Sequence, residues 1–415
     1  MTTLPAGYRT AVVPPERVDE FRTVDQLAFA TSPDPEVERL LPFPIPLDRL
    51  MAVEGPDGQY AAVHGSYEFA MPVPGGQVAC SGLTWVAVRP DHRRRGLLRS
   101  MISTHVERSL ERGEPVSALF AAESSIYGRF GYGSAADDVR LTLPRGAALR
   151  PVAGSQDLTV RLERVDPAQH AGLVEELHVQ AGRGRPGWMP RATPALQARS
   201  VGDPPSWRHG FEPLLLATVR AGDDVRGLAV LARKDSWGEG GPDFTVKVRQ
   251  ASAVDAAATH RLWSFLLDLD LTATVETPLL PVDDPLLQLL VDTRPTRRRL
   301  NDNMWVRLLD LPTALAARTY AGPADVVLEV TDTLLPANAG RWRLVVDAAG
   351  DAEVTRTDAE AEVRLDVREL GALYLGGRSA TALGTAGLVL GEDRDLARLT
   401  TTFGSPLAPV CPWIF

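Results

Sequence analysis

The string Trp85-Val-Ala-Val-Arg-Pro-Asp-His-Arg-Arg-Arg-Gly-Leu-Leu-Arg99 constrains this chain more than any other stretch. An extended apolar run, Trp85 to Val88, stops at Pro90. Three arginines and a glycine follow, and then a segment with helical spacing. The order predicts a strand, a basic turn and a helix start. Such a turn suits a pyrophosphate, because the first amides of a helix lack internal partners and point outward. The helix dipole adds about half a positive charge there. Gly96 lets the backbone approach closely, and Arg94 and Arg95 add charge-assisted donors. Neither G-x-x-x-x-G-K-[ST] nor a strand-linked G-x-G-x-x-G occurs at this point.

The chain has 415 residues, which predicts two to three domains. Its 44% hydrophobic and 23% charged residues are ordinary for a globular protein. A net charge of −9 argues against nucleic acid as the main partner and suits a cationic substrate. Cys80 and Cys411 are too few for a disulfide framework or a metal site. The N-terminal residues Met1 to Gly7 lack a basic region followed by an apolar run, and no apolar stretch is long enough to span a membrane. A cytoplasmic protein is the simplest expectation.

Three regions follow from the patterning. In the first, residues 1–150, Val18 to Ala30 has helical spacing and is stopped by Pro33 and Pro35. Strands are expected at Leu50–Val53, Tyr60–Tyr67, Val78–Val88, Val116–Ala122 and Asp138–Leu143, with a helix from Gly96 to Arg112 and a short helical turn at Ser124 to Tyr132. The second region, residues 151–300, repeats the order of strands, central strand and helix without an Arg-Arg-x-Gly turn. Its central strand is Phe244–Ser252 and its helix Ala256–Leu269. The third, residues 301–415, opens with a strand at Met304. A helix starts near Asp310, and alternating strands follow at Val326–Thr331, Arg341–Val346 and Ala361–Asp366. Val367–Leu375 and Ala380–Ala386 read as helices.

The basic turn closely resembles the acyl-CoA turn of the GNAT acetyltransferases, and the third region resembles a sterol-carrier-protein-like domain. As a whole the chain resembles the Eis (enhanced intracellular survival) N-acetyltransferases. The likeness rests on Val86 to Arg99, on Ile126-Tyr-Gly-Arg-Phe-Gly-Tyr-Gly133 and on Trp305-Val-Arg-Leu-Leu-Asp310. It implies an α+β fold of two tandem GNAT-like domains, each a central mixed sheet flanked by helices, and a sterol-carrier-like domain. It further implies a homohexamer that transfers acetyl from acetyl-CoA, without a metal, to amines such as aminoglycosides, polyamines or lysine side chains. Carried over by position, the acetyl-CoA contacts fall on Val86, Ala87 and Val88 for the pantetheine arm. Around the pyrophosphate they fall on Arg94, Arg95, Gly96, Leu97, Leu98 and Arg99, and at the next strand's end on Ala122 and Glu123. The general acid falls on Tyr127 and the general base on the α-carboxylate of Phe415.

The chemistry of these residues agrees with those roles. A tyrosine hydroxyl, with a reference pKa near 10, stays protonated at neutral pH and can protonate a leaving thiolate. Tyr132 is its nearest rival. The tail Leu407 to Phe415 is almost wholly apolar and is driven to bury. Burial would carry the terminal carboxylate into a cleft and raise its basicity. Trp85 reads as a wall of the acceptor site. Asp25, Asp34 and Glu36 flank the first helix as candidate cation attractors or as solvated acids. His92 and His105 read as structural, and Trp263 and Phe265 as core. The rival reading, from the third region alone, is a lipid or acyl-CoA carrier.

Overall fold

The computed structural model describes residues 4–415, so Met1 to Thr3 of the N-terminal stretch read above lie outside it. A seven-stranded sheet organises the first region. It contains β1 (Arg9–Val12), β2 (Leu50–Glu54), β3 (Tyr60–Val73), β4 (Gly76–Val88), β5 (Val116–Phe120) and β6 (Gly133–Ser134). Its seventh strand, Met304–Leu308, arrives from far along the chain and sits between β5 and β6. The strand expected to open the third region thus completes the first region's sheet. It pairs with β5 from Met304↔Phe120 to Leu308↔Val116, and its Met304, Val306 and Leu308 are fully buried.

Helices α1 (Val18–Phe29), α2 (Pro35–Leu40), α3 (Leu97–Glu111) and α4 (Ser124–Tyr127) flank this sheet. The prolines expected to stop α1 do so, but Pro35 also opens α2. It takes a first-turn position, and the Asp34 carboxylate accepts from the Glu36 and Val37 amides. The strand expected at Asp138–Leu143 is split. Asp137–Arg140 pairs with Leu280–Pro281 and Arg299–Asp302, whereas Thr142–Pro144 joins the second region's sheet.

The second region has six strands around the central Phe244–Ala253, backed by the helices Pro167–Ala181 and Ala256–Leu267. Its core is its own, with Trp263 buried and Phe265 packed beside it, as expected. The third region has a five-stranded sheet, Ala324–Thr331 at its centre, and the terminal helix Asp393–Phe403. Its core is continuous with that of the first region, from Phe69 and Val116 through Val306 to Leu370 and Phe403. Each such buried side chain contributes roughly 1.5–3 kcal/mol, so the two regions stabilise one another. A fully buried pair, Arg307 to Asp332 at 2.7 Å, joins them further.

The apolar tail buries fully at Pro409 to Cys411, whereas Ile414 stays 63% exposed. Asn303 clamps it from both sides, accepting from the Cys411 amide at 2.8 Å and donating to the Cys411 carbonyl at 3.0 Å. The Val410 amide donates to the Pro186 carbonyl at 3.1 Å, and the Trp413 indole donates to the Met189 carbonyl at 2.7 Å. Residues of the second region, together with Asn303, therefore hold the tail in place. Among the described residues no helix is long and apolar enough to cross a membrane.

Candidate active site

The pairing of β4 with β5 is parallel and short. It runs from Cys80↔Val116 to Gly82↔Ala118 and stops, so the two strands part beyond it. Val86 to Val88 then pair on one side only, with Ala87 opposite Val63 and Val88 opposite Ala62. Their other backbone edge is left without a strand, free for an extended amide-bearing arm. Just before this edge, two residues of β4, Trp85 and Val86, oppose one of β3 where the register shifts. Trp85 takes a φ of 51°, a strained conformation for so bulky a residue, costing about 1–3 kcal/mol. Ring contacts offset it: Trp85 stacks on Phe21 at 5.9 Å and meets Phe43 edge-on at 5.4 Å.

The basic turn lies next to the free edge. Gly96 stands at the N-cap of α3 with a φ of 80°, and no side chain caps the helix. The first amide bonded within α3 is that of Ser100, to the Gly96 carbonyl. The amides of Leu97, Leu98 and Arg99 are therefore open. A Cβ on residue 96 would meet nothing within 4 Å, so glycine is required by the backbone conformation and not by crowding.

A cleft of about 530 Å³ gathers this machinery. Its lining includes Val86, Ala87, Val88, Arg94, Gly96, Leu97, Leu98, Arg99, Ala122, Glu123 and Tyr127. Arg93, the first arginine of the turn, and Arg129, which was not singled out from sequence, also line it. Arg93, Arg94 and Arg99 have no ion pair or hydrogen bond among the described residues. Arg95 alone of the expected set turns away. Arg94 takes a φ of 61°, and the Arg95 guanidinium beyond it donates to the Tyr8 hydroxyl and the Asp91 carbonyl.

The two tyrosines have different surroundings. Tyr132 is fully buried, shares a 2.8 Å hydrogen bond with Ser117, and lies outside the cleft lining. Ser117 in turn shares a 2.8 Å bond with His105, which is therefore a satisfied core histidine. Tyr127 is 8% exposed, packs with Leu83 and Leu119, and no group among the described residues bonds its hydroxyl. Burial, with a smaller contribution from Glu123, pushes that hydroxyl up to about 12. His92 also lines the cleft, its Nδ1 being 2.9 Å from the Tyr8 hydroxyl.

Phe415 approaches the splay from the other face. Its ring meets Phe69 at 4.9 Å and Phe120 at 5.2 Å. A Cβ at residue 82 would lie 2.3 Å from the Phe69 ring and 3.2 Å from the Phe415 ring, so only glycine admits this packing. Because side chains alternate along a strand, Gly82 and Phe120 face Phe415, whereas Leu83 and Leu119 face Tyr127. The two candidate proton carriers thus flank the parting strands from opposite faces. No ion pair holds the Phe415 carboxylate within 4 Å among the described residues.

A second cleft, about 580 Å³, opens on the Phe415 side between the first two regions. Trp85, Tyr67 and Trp413 line it. Of the three acids expected to attract a cation, Asp34 caps α2 and Glu36 pairs with Arg39 at 3.5 Å. Asp25 alone has no partner among the described residues, and burial pushes its carboxyl up to about 6.

The sequence matches models of the acetyltransferase (GNAT) domain over residues 11–135 and again over 187–308, and of the sterol carrier protein domain over 311–412. An uncharacterised N-acetyltransferase of Streptomyces coelicolor is 40% identical over 401 residues, covering 93% of this chain and 94% of that protein. The N-acetyltransferase Eis of Mycobacterium tuberculosis is 35% identical over 380 residues, covering 87% and 88%. The chain belongs to the Eis family of N-acetyltransferases. The crystal structure of Eis1 from Mycobacterium abscessus superposes with a TM-score of 0.82 at 29% identity, over 98% of this chain and all of that one. This Eis-family chain is therefore an acetyltransferase with two GNAT domains and a sterol-carrier-like domain, and enzymes of this type take their acetyl group from acetyl-CoA.

Proposed function

We propose that the protein is an acetyl-CoA-dependent amine N-acetyltransferase with Tyr127 as general acid and the Phe415 carboxylate as general base. One observation carries the reading. A single cleft collects the open amides of α3, three unpaired guanidiniums and an unbonded tyrosine hydroxyl, and the chain's terminal ring stands across the splay. Acetyl-CoA supplies an activated thioester. The α3 amides and Arg93, Arg94 and Arg99 hold its diphosphate, and the free edge of Val86 to Val88 aligns its amide-bearing arm. The Phe415 carboxylate takes a proton from the attacking amine, and the Tyr127 hydroxyl gives one to the departing sulfur. A hydroxyl raised to about 12 is still protonated at any working pH.

Following CoA release with acetyl-CoA and an amine tests this. Tyr127→Phe should lower kcat by about 10² or more, and an unchanged kcat removes Tyr127 from the chemistry. Because Tyr127 donates a proton, activity should hold as pH rises through 10 and decline only toward 12. A decline centred near 10 would point to a solvent-exposed acid instead. Appending residues to Phe415 replaces its carboxylate with an amide and should abolish turnover. Full activity of the extended chain would exclude the terminal base.

A further inference from the structure

The second cleft differs in charge from the protein that surrounds it. The whole chain carries −9, yet every charged side chain lining this cleft is cationic: Arg140, Arg191, Arg199, Lys247 and Arg249. Two of them are neutralised by carboxylates outside the lining. Arg191, 5% exposed, pairs with Glu175, and Arg140 pairs with Asp138. The other three form no ion pair among the described residues, although Glu276 stands opposite Lys247 in the sheet register. Arg199 lies over the Trp207 ring at 5.2 Å, and its guanidinium makes no hydrogen bond among the described residues. Lys247 makes only a ring contact, 5.8 Å from the centroid of Phe211. Arg249 donates to two carbonyls, those of Gly202 at 2.7 Å and Arg199 at 2.8 Å. The nearby Asp203 is already taken by Arg208 and the Leu214 amide.

Neighbouring cations repel one another, and those taken out of water lose hydration. The Arg249 guanidinium shows both effects. Burial first, then Arg191 and Arg199, push it down to about 10 against an opposing pull from Asp203. Such a cluster favours an anion supplied from outside. Among the described residues lining the cleft, Phe415 alone carries an anion, its terminal carboxylate, and that forms no ion pair. The ring of Trp413 lies between Arg191, another cation of the cleft, and the terminal ring. The Arg191 guanidinium lies 5.1 Å from its centroid on one side and the Phe415 ring 5.8 Å away on the other.

We infer that the acceptor is an amine carrying an anionic group, a carboxylate or a phosphate, held by Arg199, Lys247 and Arg249 while its amine reaches past Trp413 to the splay. The inference rests on the acetyl-transfer reading above and narrows it. The acceptor class is the reverse of the polycation that the net charge suits. A cleft of about 580 Å³ walled by Trp85, Trp207 and Trp413 fits a small, flat or flexible molecule.

Three matched comparisons test it by CoA release: 4-(aminomethyl)benzoate against its methyl ester, phosphoethanolamine against ethanolamine, and either acid against spermidine. We expect kcat/KM to favour the anionic member of at least one pair by roughly tenfold or more, the usual size of a charge-assisted contact. The pair showing the larger preference tells carboxylate from phosphate. In Lys247→Gln and Arg199→Gln that preference should fall about tenfold, with melting temperatures close to that of the parent. Preference for the ester, for ethanolamine and for spermidine over the acids would overturn the inference, as would a preference unmoved by both substitutions. If acetyl-CoA binds but no amine is turned over, the transfer reading fails by itself. Calorimetric titration with 4-(aminomethyl)benzoate and phosphoethanolamine then decides the anion site: binding weakened by Lys247→Gln supports it, and no binding of either overturns it.

Discussion

The two GNAT domains use one topology with opposite helix starts. In the first, β4 pairs in parallel with β5 and leads into α3. In the second, Phe244–Ala253 pairs in parallel with Thr272–Glu276 and leads into Ala256–Leu267. The first connection runs from Arg89 to Gly96 and ends in an uncapped helix. The second consists of Val254 and Asp255, and the Asp255 carboxylate accepts from the Ala258 amide at 2.8 Å. Asp255 also receives Arg226, with Nε at 3.0 Å. The second helix supplies its own anion. The first leaves its amides open and places unpaired arginines around them. Anion sites of this kind are made by withholding a cap as much as by adding cations.

Gly96→Asp would give the first helix a cap and should have the largest effect. An aspartate there places a carboxylate where a diphosphate would sit and forces a left-handed φ on a residue with a Cβ. KM for acetyl-CoA should rise by about 100-fold or more, the scale of losing several charge-assisted bonds. Gly96→Ala separates the two causes. Nothing lies near its Cβ, so it should cost roughly 1–2 kcal/mol of stability and leave the notch open. Equal KM values for the alanine and aspartate variants would show that strain, and not occupation by an anion, is the cause. Smaller losses should come from Arg94→Gln and Arg99→Gln. Each removes one guanidinium, and each should raise KM for acetyl-CoA roughly tenfold while kcat holds. A fall in kcat with KM unchanged would place these arginines elsewhere in the reaction.

What the sequence made legible was local, and what it hid came from distant segments. The turn, Gly96, Tyr127 and the free edge of β4 lie within about forty residues of chain, and the order strand, turn, helix is set by near neighbours. The extent of the sheet was not legible. Met304–Leu308 reads as a good strand anywhere, and its partners are set by Leu119 and Val116, far away in sequence. The helix Pro35–Leu40 was hidden because proline reads equally as the end of one helix and the first turn of the next. Arg95 was misplaced because the left-handed turn at Arg94 reverses the side on which the following residue emerges. The cationic cleft had no signature at all. Arg199 and Lys247 are ordinary residues on separate elements of the second region, brought together only by its fold.

The smallest effect belongs to the second helix. Asp255→Ala removes a cap and an ion pair from a helix start that lacks the basic turn. It should cost about 1 kcal/mol, seen as faster hydrogen exchange at the amides of residues 256–258, with KM for acetyl-CoA unchanged. The informative measurement is whether the uncapped helix gains affinity for pyrophosphate. No gain is expected, because the short connection there brings no arginine comparable to Arg93, Arg94 and Arg99, and Arg226 alone remains beside the helix start. A measurable gain, competed away by acetyl-CoA, would mean that the carboxylate of Asp255 by itself keeps the second domain's helix start from taking an anion. In that case the basic turn would tune an affinity that the open helix end already provides.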